Sequence, residues 1–510
     1  MNVVETIQTD VIVVGGGGSG LAAAIEARSI GREVVLLEKN PKLGGSTARS
    51  VGSVTATNTP HQLRKGILDC TDDHFHDMGL FCERKKLPDN LEMRRILIEN
   101  VPETFRWLLS FGVVFYGPMP EPPHRKPRMH NVLPNSRAYI YHLERRARKL
   151  RTRIITSARM GDLIVENGRV VGVEAEVEVE ARRLVVRARG GVVLTTGDFG
   201  GNQEMRSRYI SNSIAAARPI NPTNTGDGHR KVLELGGRII NGTVHIAGIR
   251  FDPPPNKWIF SIPPIRPLTL FMARALDHMP PAILRPFVMS FLTTVLQSQP
   301  GLMHRGGLLI NRDGERFTNE LGSPADDIPN QPDQFAYILL DGDLVRDFSG
   351  PPHHISTAPG IAYAYIDDYR RNRKDVFHQA ETLAGLGQKV GMRAGVLERT
   401  VADYNAGLAP AGASPRGDRK LIGSGPYVAL GPVRYYITFS DSGVAVDLRY
   451  RVLGHNDAVI PSLYAAGFIG MGGMLLEGLG HHLGWGFTSG RRAGRHAAQQ
   501  VVTADLAKSA

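Results

Sequence analysis

The sequence predicts an α/β protein of two domains, in which both end regions of the chain form one domain and the middle forms the other. Three observations favour this fold class. Residues 9–39 read as strand, glycine turn, helix and strand, and glycine-rich turns with short strands return from residue 440 onward. The section between them differs in character, and 510 residues exceed what a single hydrophobic core normally holds.

The first element is a dinucleotide-binding motif. An apolar run leads into the GxGxxG pattern of Gly15, Gly17 and Gly20, and a helix-forming run follows. Gly15 allows a tight turn, Gly17 lets backbone N–H groups approach a pyrophosphate, and Gly20 lets the helix pack closely. A second strand, 33–37, ends at Glu38, whose carboxylate can accept hydrogen bonds from ribose hydroxyls and would repel a 2′-phosphate.

Glycine-rich segments recur along the chain. The loop 41–52 has paired glycines and hydroxyl groups, so its backbone can run along a flat ring system and donate N–H groups to it. A strand, 192–195, leads into a second glycine turn. Near the end of the sequence a third glycine cluster, 478–486, is predicted to open a helix over 487–502. The chain thus leaves the nucleotide domain, builds another domain and returns.

Two segments differ from the rest in composition. Residues 118–134 are rich in proline and basic side chains, which predicts an exposed loop. Residues 268–296 are apolar, but charged residues and prolines interrupt them, and the longest clean run, 287–296, is too short to cross a bilayer. This second segment predicts one or two apolar helices that cover something or dip into a membrane surface, as in a peripheral membrane contact.

The formal charge of +12 and the isoelectric point near 9.7 favour anionic partners or surfaces. The basic residues are scattered except for one dense patch, 145–153. This patch has two possible interpretations: a solvated helix face, or a contact with acidic lipid or a protein partner. No basic stripe with interleaved aromatic residues is present, so we infer no nucleic-acid binding.

The cysteine content favours a reducing compartment. Cys70 and Cys82 cannot form a disulfide framework in a chain of this length, so free thiols are expected. The nucleotide motif begins almost at Met1, with no targeting peptide before it. We therefore expect a cytoplasmic protein.

Several segments together resemble the flavoprotein superfamily of fumarate reductases and 3-ketosteroid Δ1-dehydrogenases. The combination spans nearly the whole chain. The segments that carry the resemblance are VIVVGGGGSGLAAA at 11–24, LEKNPKLGGSTA at 37–48, VVLTTGDFGGN at 192–202, NTGDG at 224–228, LLINRDGERFTNE at 308–320 and LYAAG at 463–467.

The resemblance implies a bound FAD, a Rossmann-like FAD-binding domain made of residues 1–244 and 440–510, and an inserted α+β cap domain over 245–439 that binds the substrate. The reaction would transfer a hydride between flavin N5 and a carbon next to an activating carbonyl, so that a C–C single bond and a C=C double bond interconvert. The residues expected to bind the cofactor are Gly15, Gly17, Gly18, Ser19, Gly20, Glu38, Lys39, Gly44, Gly45, Ser46, Thr47, Gly52, Thr196, Gly197, Asp227, Gly467, Gly480 and Leu483.

The chain departs from the superfamily at positions that carry its chemistry. Where fumarate reductases place a catalytic arginine and ketosteroid dehydrogenases are similar in placing a tyrosine, this chain reads LGSP at 321–324. The positions that bind a dicarboxylate fall near Phe439 and Glu477, and a tyrosine near the ketosteroid carbonyl falls on Leu476. Gly480 remains, and its N–H at a helix start could hold a ketone oxygen as an oxyanion hole does.

Other residues could serve as the acid or base. His481 and His482 lie at the start of the last helix, beside the expected flavin, and either imidazole could exchange a proton with substrate or merely pack against the cofactor. Tyr363 and Tyr365 in the cap are alternative candidates, since ketosteroid dehydrogenases use a tyrosine phenol; the other interpretation is that they pack in the core of the cap. The histidine pair at 353–354 lacks a third ligand at useful spacing, so no metal is predicted.

These observations favour an FAD-dependent dehydrogenase that acts at Cα–Cβ of a bulky, apolar ketone and is similar to 3-ketosteroid dehydrogenases. Two alternatives stay open: a fumarate-type ene-reductase of an acid or enone, and a flavin-bearing electron carrier or scaffold with a decayed catalytic site. Only one GxGxxG follows a strand, so no domain for a nicotinamide donor is visible. An external electron acceptor or donor is therefore expected.

Overall fold

The computed structural model describes residues 4–82, 86–178, 181–254, 261–280, 298–358, 362–410, 413–415 and 419–509, together with Ile283, Arg285, Met289 and Thr293. The helices of these residues are α1 (Gly18–Ser29), α2 (Pro60–Arg64), α3 (Thr71–Cys82), α4 (Leu91–Ser110), α5 (Arg137–Lys149), α6 (Gln203–Tyr209), α7 (Asn212–Ala216), α8 (Asp227–Glu234), α9 (Arg266–His278), α10 (Pro300–His304), α11 (Gly342–Asp347), α12 (Ile366–Asn372), α13 (Leu383–Val390), α14 (Val396–Asn405) and α15 (His481–Ser509).

The strands of the described residues assemble into two larger and two small sheets. They are β1 (Val4–Val14), β2 (Val34–Leu37), β3 (Ser53–Thr55), β4 (Val114–Met119), β5 (Met129–Leu133), β6 (Arg153–Ile155), β7 (Ala158–Glu166), β8 (Arg169–Val177), β9 (Arg182–Leu194), β10 (Arg218–Pro219), β11 (His245–Phe251), β12 (Leu308–Asn311), β13 (Ala336–Leu340), β14 (Ser356–Ala358), β15 (Ala362–Ala364), β16 (Phe377–Ala380), β17 (Tyr427–Ser440), β18 (Arg451–Leu453) and β19 (Val459–Ala465).

The first sheet takes strands from both end regions of the chain. Its parallel strands lie in the order β19, β9, β1, β2, β6, while β18 pairs antiparallel with β19 and the β7–β8 hairpin joins β9. The apolar ends of β1, β2 and β9 are buried, as expected for parallel strands covered on both faces. The fold class predicted from the sequence is confirmed by this arrangement.

The second sheet is built around β17, which pairs with β10, β11, β13 and β16. β11 runs antiparallel to β17, with Ile246 opposite Phe439 and Phe251 opposite Val433. The predicted cap begins at the first residue of β11, and β17 ends one residue past the predicted end of the cap. The domain boundaries at 244/245 and 439/440 stay a prediction.

Helices α1 and α15 pack closely because α15 presents glycines to α1. A Cβ added at Gly490 would lie 2.2 Å from the carbonyl oxygen of Ser19, and one at Gly494 would lie 2.2 Å from that of Ala23. The buried Arg491 Nε donates to Glu26 Oε1 at 2.8 Å across the same contact. Residues from the two end regions of the chain therefore share one core.

The predicted start of the last helix is wrong by six residues. α15 begins at His481 rather than at residue 487, so Gly484 and Gly486 lie inside the helix. A Cβ at Gly484 would meet Val101 of α4 at 3.2 Å, so close packing between helices accounts for this glycine. The sequence pattern could not distinguish a glycine that opens a helix from one that lets a neighbour approach.

The prediction of an exposed loop over 118–134 is also wrong. β4 ends and β5 lies within this segment, and Glu121, His124 and Arg128 are buried. Arg128 Nη2 and Nε donate to the two oxygens of Asp69, each at 2.7 Å, and Nη1 donates to Asp77 Oδ2 at 2.5 Å. The basic residue is buried because two carboxylates from elsewhere in the chain pair with it.

Helix α9 lies in the apolar segment and touches the small sheet at β4 and β5. Its Leu268, Leu270 and Phe271 are exposed, while Thr269 is buried. None of the helices in the described part of the chain is both long and apolar enough to span a membrane. The peripheral membrane contact stays a prediction, and much of 281–297 lies outside the described residues.

Candidate active site

A cavity of about 520 Å³ lies at the carboxyl ends of the parallel strands of the first sheet. Val14, Leu37 and Ala466, which end or follow β1, β2 and β19, contribute to its floor. β11 and β17 of the second sheet provide the opposite wall. Ligands of open α/β sheets bind at this edge, so the cavity is the candidate site.

The glycine motif forms the tight turn between β1 and α1. Gly15 has φ +108°, and a Cβ there would lie 2.4 Å from the carbonyl oxygen of Thr195. A Cβ at Gly20 would lie 1.8 Å from the carbonyl oxygen of Gly15, so only glycine allows this approach. α1 begins at Gly18 after Gly17, which makes no side-chain cap. The first turn of α1 therefore presents backbone N–H groups that suit a phosphate.

The acid at the end of β2 is buried and lines the cavity. Glu38 Oε2 accepts a hydrogen bond from Gly16 N at 2.7 Å, and Oε1 accepts one from Asn40 N at 2.7 Å. Oε1 accepts a second bond from Asn40 Nδ2 at 2.7 Å, whereas Oε2 can still accept one, so a ribose hydroxyl remains compatible with these contacts. Nearby, Lys39 Nζ and Asp227 Oδ2 form an ion pair of 2.7 Å, also at the cavity.

Two buried hydroxyls at the cavity test whether a dinucleotide fits. Ser19 Oγ and Thr196 Oγ1 have no hydrogen-bond partner among the described residues. A buried hydroxyl without a partner costs free energy, and phosphate or ribose oxygens would supply one. The residues present therefore fit a dinucleotide. The other predicted cofactor residues that line the cavity are Gly18, Gly45, Ser46, Thr47, Gly52, Gly197, Gly467, Gly480 and Leu483, whereas Gly20 and Gly44 pack behind it.

The two adjacent histidines of α15 lie in different surroundings. His482 lines the cavity, and its Nε2 lies 3.0 Å from Asp441 Oδ1, while its ring stacks on Phe468 at 5.5 Å. His481 points away from the cavity lining into the protein, where its Nδ1 donates to the carbonyl oxygen of Glu477. Burial lowers the pKa of His481 well below its usual value.

The tyrosines proposed from the cap do not line the cavity. Tyr363 is exposed on β15, and its ring contacts His354 with the centroids 4.8 Å apart. Tyr365 is half-buried at the start of α12, with Arg285 over its ring. Of the predicted catalytic residues, the structure brings His482 and Gly480 together at the cavity.

Three charged residues that line the cavity were not singled out from the sequence: Arg49 of the loop 41–52, Arg250 and Glu121. Arg250 lies on β11, and its Nη1 donates to Thr438 Oγ1 at 3.0 Å. Glu121 lies between β4 and β5, and its Oε1 accepts a hydrogen bond from Leu479 N at 2.7 Å. A lone charge inside an apolar strand and a lone acid in a basic, proline-rich segment were the signals that could have found Arg250 and Glu121.

Behind the cavity, three buried histidines form a cluster. Ring nitrogens of His74, His124 and His481 lie within 4.8 Å of one another, a spacing that could hold a metal ion. Arg128 Nη1 donates to His124 Nδ1 at 3.0 Å, and a guanidinium at this place opposes the binding of a second cation. The absence of a metal stays a prediction.

Comparison with known proteins identifies the class. The chain matches the FAD binding domain family over residues 10–249 and 279–475, and it belongs to this family. It is 27% identical to NADH:acrylate oxidoreductase of Vibrio harveyi over 98% of the chain and 51% of that enzyme, so it spans about half of the Vibrio enzyme. It is 26% identical to urocanate reductase of Eggerthella lenta, over 97% of the chain and 75% of that enzyme. It is 24% identical to 3-oxosteroid 1-dehydrogenase of Mycolicibacterium smegmatis, over 90% of the chain and 91% of that enzyme.

Solved structures agree on the fold. The open conformation of a flavocytochrome c3 fumarate reductase superposes with a TM-score of 0.72 at 23% identity, over 97% of this chain and 79% of that one. A 3-ketosteroid Δ1-dehydrogenase from Sterolibacterium denitrificans superposes with a TM-score of 0.63 at 20% identity, over 96% of this chain and 99% of that one. The predicted superfamily and cofactor are confirmed: the chain is similar to fumarate reductases and ketosteroid dehydrogenases, and FAD is its cofactor.

Replacing Gly20 by alanine is expected to destabilise the protein by about 1–3 kcal/mol, because the new Cβ would displace α1 from the turn at Gly15. The ratio of FAD to protein and the thermal unfolding temperature measure both consequences. Gly350→Ala is the matched control, since a Cβ there meets nothing within 4 Å. Equal FAD content and unfolding temperature in the two variants would contradict the close approach.

Proposed function

We propose that the chain interconverts a C–C single bond and a C=C double bond next to the carboxylate or carbonyl group of an organic acid. The observation that carries this proposal is Arg250, a cation in the wall of the cavity that also contains the cofactor residues. Of the alternatives raised by the sequence, the ene-reductase of an acid is therefore placed first, ahead of the bulky ketone.

The surroundings of Arg250 favour an anionic ligand. Burial lowers the pKa of Arg250, which means that the protein desolvates its positive charge. Arg250 Nη1 donates to Thr438 Oγ1 at 3.0 Å, which helps to hold the guanidinium at the wall of the cavity. A carboxylate bound by the same group would offset the cost of desolvation and form charge-assisted hydrogen bonds. Two relatives are named for acrylate and urocanate, which are both unsaturated carboxylates.

The other residues of the wall suit the apolar part of such a substrate. Bound FAD supplies hydride transfer at its N5 atom. Ile246, Phe439 and Phe468 would hold the carbon skeleton and exclude water. The first turn of α15 at Gly480 leaves backbone N–H groups that stabilise negative charge on a carbonyl oxygen or on the cofactor.

A bulky ketone is the second candidate function, and the same apolar side chains favour it. Arg250 would then stabilise the enolate oxygen rather than a carboxylate. For either substrate an electron acceptor or donor would exchange electrons with the flavin, and the relatives named for NADH are examples of such a couple. A flavin-bearing carrier without substrate chemistry is the remaining alternative.

The experiment is an anaerobic assay of the FAD-loaded protein, with the oxidised flavin absorption band as the signal. Chemically reduced protein is mixed with acrylate, urocanate, fumarate and cyclic enones, and oxidised protein with the saturated counterparts and with 3-ketosteroids. We expect reoxidation by at least one unsaturated acid. A reaction confined to ketones and enones would favour the second candidate, and no reaction with any compound would favour the carrier.

A further inference from the structure

We propose that Glu121 is the catalytic acid and base of this site, which takes the proton from Cα when a C=C bond forms and returns it when the bond is reduced. This inference rests on the proposed function. It concerns the chemistry that the superfamily assigns to an arginine or a tyrosine, which this chain lacks at 321–324.

One carboxylate oxygen of Glu121 is hydrogen-bonded within the protein, and the other is available to a substrate. Oε1 accepts a hydrogen bond from Leu479 N at 2.7 Å, which ties the carboxylate to the segment just before α15. Oε2 is buried and has no hydrogen-bond partner within the described part of the chain. The side chain is 3% exposed and lines the cavity together with Gly480 and His482. A buried carboxylate oxygen without a partner is costly unless the site serves a ligand or a proton.

The other carboxylates and the histidine that line the cavity are already engaged. Glu38 accepts bonds from Gly16 and Asn40, Asp227 pairs with Lys39, and His482 pairs with Asp441. No tyrosine is found among the described residues that line the cavity. Glu121 is thus the lining carboxylate that has an unengaged oxygen, while Arg250 on the opposite wall cannot serve as a base at neutral pH.

The surroundings hold Glu121 near the middle of its titration at neutral pH. Burial raises the pKa of Glu121 to about 7, and the hydrogen bond from Leu479 N opposes part of this rise. A pKa near the working pH suits a group that must both take and give a proton. Burial lowers the pKa of His124, on the same segment, to about 4, and it lowers that of His481 as well, so both are neutral. The other charged groups on the packed elements and the cavity wall are Arg49, Arg125, Arg128 with Asp69 and Asp77, Glu477, His482 with Asp441, and Arg250.

Glu121 exchanges the proton of the reaction, and bound FAD would exchange the hydride. In dehydrogenation, ionised Glu121 takes a proton from Cα as the C=C bond forms, and bound FAD would accept the hydrogen on Cβ with its electron pair. In reduction, protonated Glu121 donates the proton to Cα after hydride arrives at Cβ. The external carrier removes or supplies the two electrons, and Arg250 holds the oxygen on which negative charge develops.

The test compares wild type with Glu121→Gln, Glu121→Asp and the exposed control Glu92→Gln, all loaded with FAD. We expect Glu121→Gln to keep its flavin, because glutamine can still accept the bond from Leu479 N, and to lose about 10²–10⁴ in the rate of flavin oxidation or reduction by substrate. In wild type, dehydrogenation should rise and reduction should fall as pH increases through about 7, and Glu121→Gln should lose this dependence. Glu121→Asp should recover part of the rate.

A second measurement does not depend on turnover. Infrared difference spectra between the acid and alkaline forms of the FAD-loaded protein should show a protonated carboxyl group that titrates near pH 7 in wild type and in Glu92→Gln. Glu121→Gln should lack this signal, whereas Asp198, whose pKa burial raises to about 6, should contribute an identical second signal in all of these variants. If wild type reacts with no compound but shows the Glu121 signal, the proposed function is contradicted, while the protonation of buried Glu121 near pH 7 is still supported. Unchanged rate and pH profile in Glu121→Gln, or no such carboxyl signal in wild type, would overturn the inference.

Discussion

Replacing Arg250 by methionine is expected to weaken the binding of a carboxylate ligand by about 2–4 kcal/mol, or about 30- to 1000-fold, while FAD stays bound. Methionine keeps much of the side-chain volume in the cavity wall but removes the guanidinium that the proposed function assigns to the acid. Titration with acrylate, followed by the change in flavin absorption, measures the dissociation constant. The same titration with acrylamide, which has the shape without the charge, should change far less.

Arg218→Met provides the matched control, because Arg218 is an exposed arginine on β10 of the same sheet. It should bind acrylate as wild type does. The acid-to-amide preference of wild type should disappear in Arg250→Met alone. Should that variant keep the preference, the carboxylate does not bind at Arg250, and the bulky-ketone candidate moves to first place.

Replacing Arg128 by methionine is expected to lower the free energy of unfolding by about 3–5 kcal/mol, because Asp69 would remain buried without a cation and Asp77 would keep only Arg125. Thermal or denaturant unfolding of the FAD-loaded protein measures the loss. Arg95→Met is the control: Arg95 pairs with Asp72 at 2.5 Å in a solvent-exposed ion pair, so its loss should cost less than about 1 kcal/mol. Similar losses in the two variants would contradict the role of burial.

The same cluster predicts a pH dependence. Burial alone would raise the pKa of Asp69 and Asp77. Arg128, together with Arg125 at Asp77 and with Thr57 and Gln62 at Asp69, outweighs burial and holds both pKa values below the usual value. The stability that they contribute is present above the unfolded pKa, about 3.9, and is lost as pH falls through the lower folded pKa. The difference in unfolding temperature between wild type and Arg128→Met should therefore shrink on acidification below about pH 4. A constant difference would exclude these two carboxylates as the cause.

The nucleotide site could be predicted because its signals are local. Gly15, Gly17 and Gly20 are constrained by one turn, and Glu38 ends the next strand, so their spacing alone indicates the chemistry. The loop 41–52 and the later glycine turns were found in the same way. The structure places nearly all of these residues around one cavity.

The substrate side could not be predicted, because its residues depend on contacts between distant parts of the chain. Glu121 and Arg128 were assigned to an exposed loop, since the carboxylates that make Arg128 buried lie about 50–60 positions away. His481 and His482 are neighbours in sequence, yet successive helix residues point about 100° apart, so one reaches the cavity and the other the core. Local sequence carries no signal for which of the two faces inward.

The glycine-lined contact between α1 and α15 has a consequence for biosynthesis. Arg491 pairs with Glu26 across 465 positions, so at about 5–20 residues per second the ribosome needs about 20–90 s between the two residues. During this interval α1 and the turn predicted to bind the pyrophosphate lack α15, one of their packing partners. We therefore expect stable flavin binding only after α15 has been synthesised.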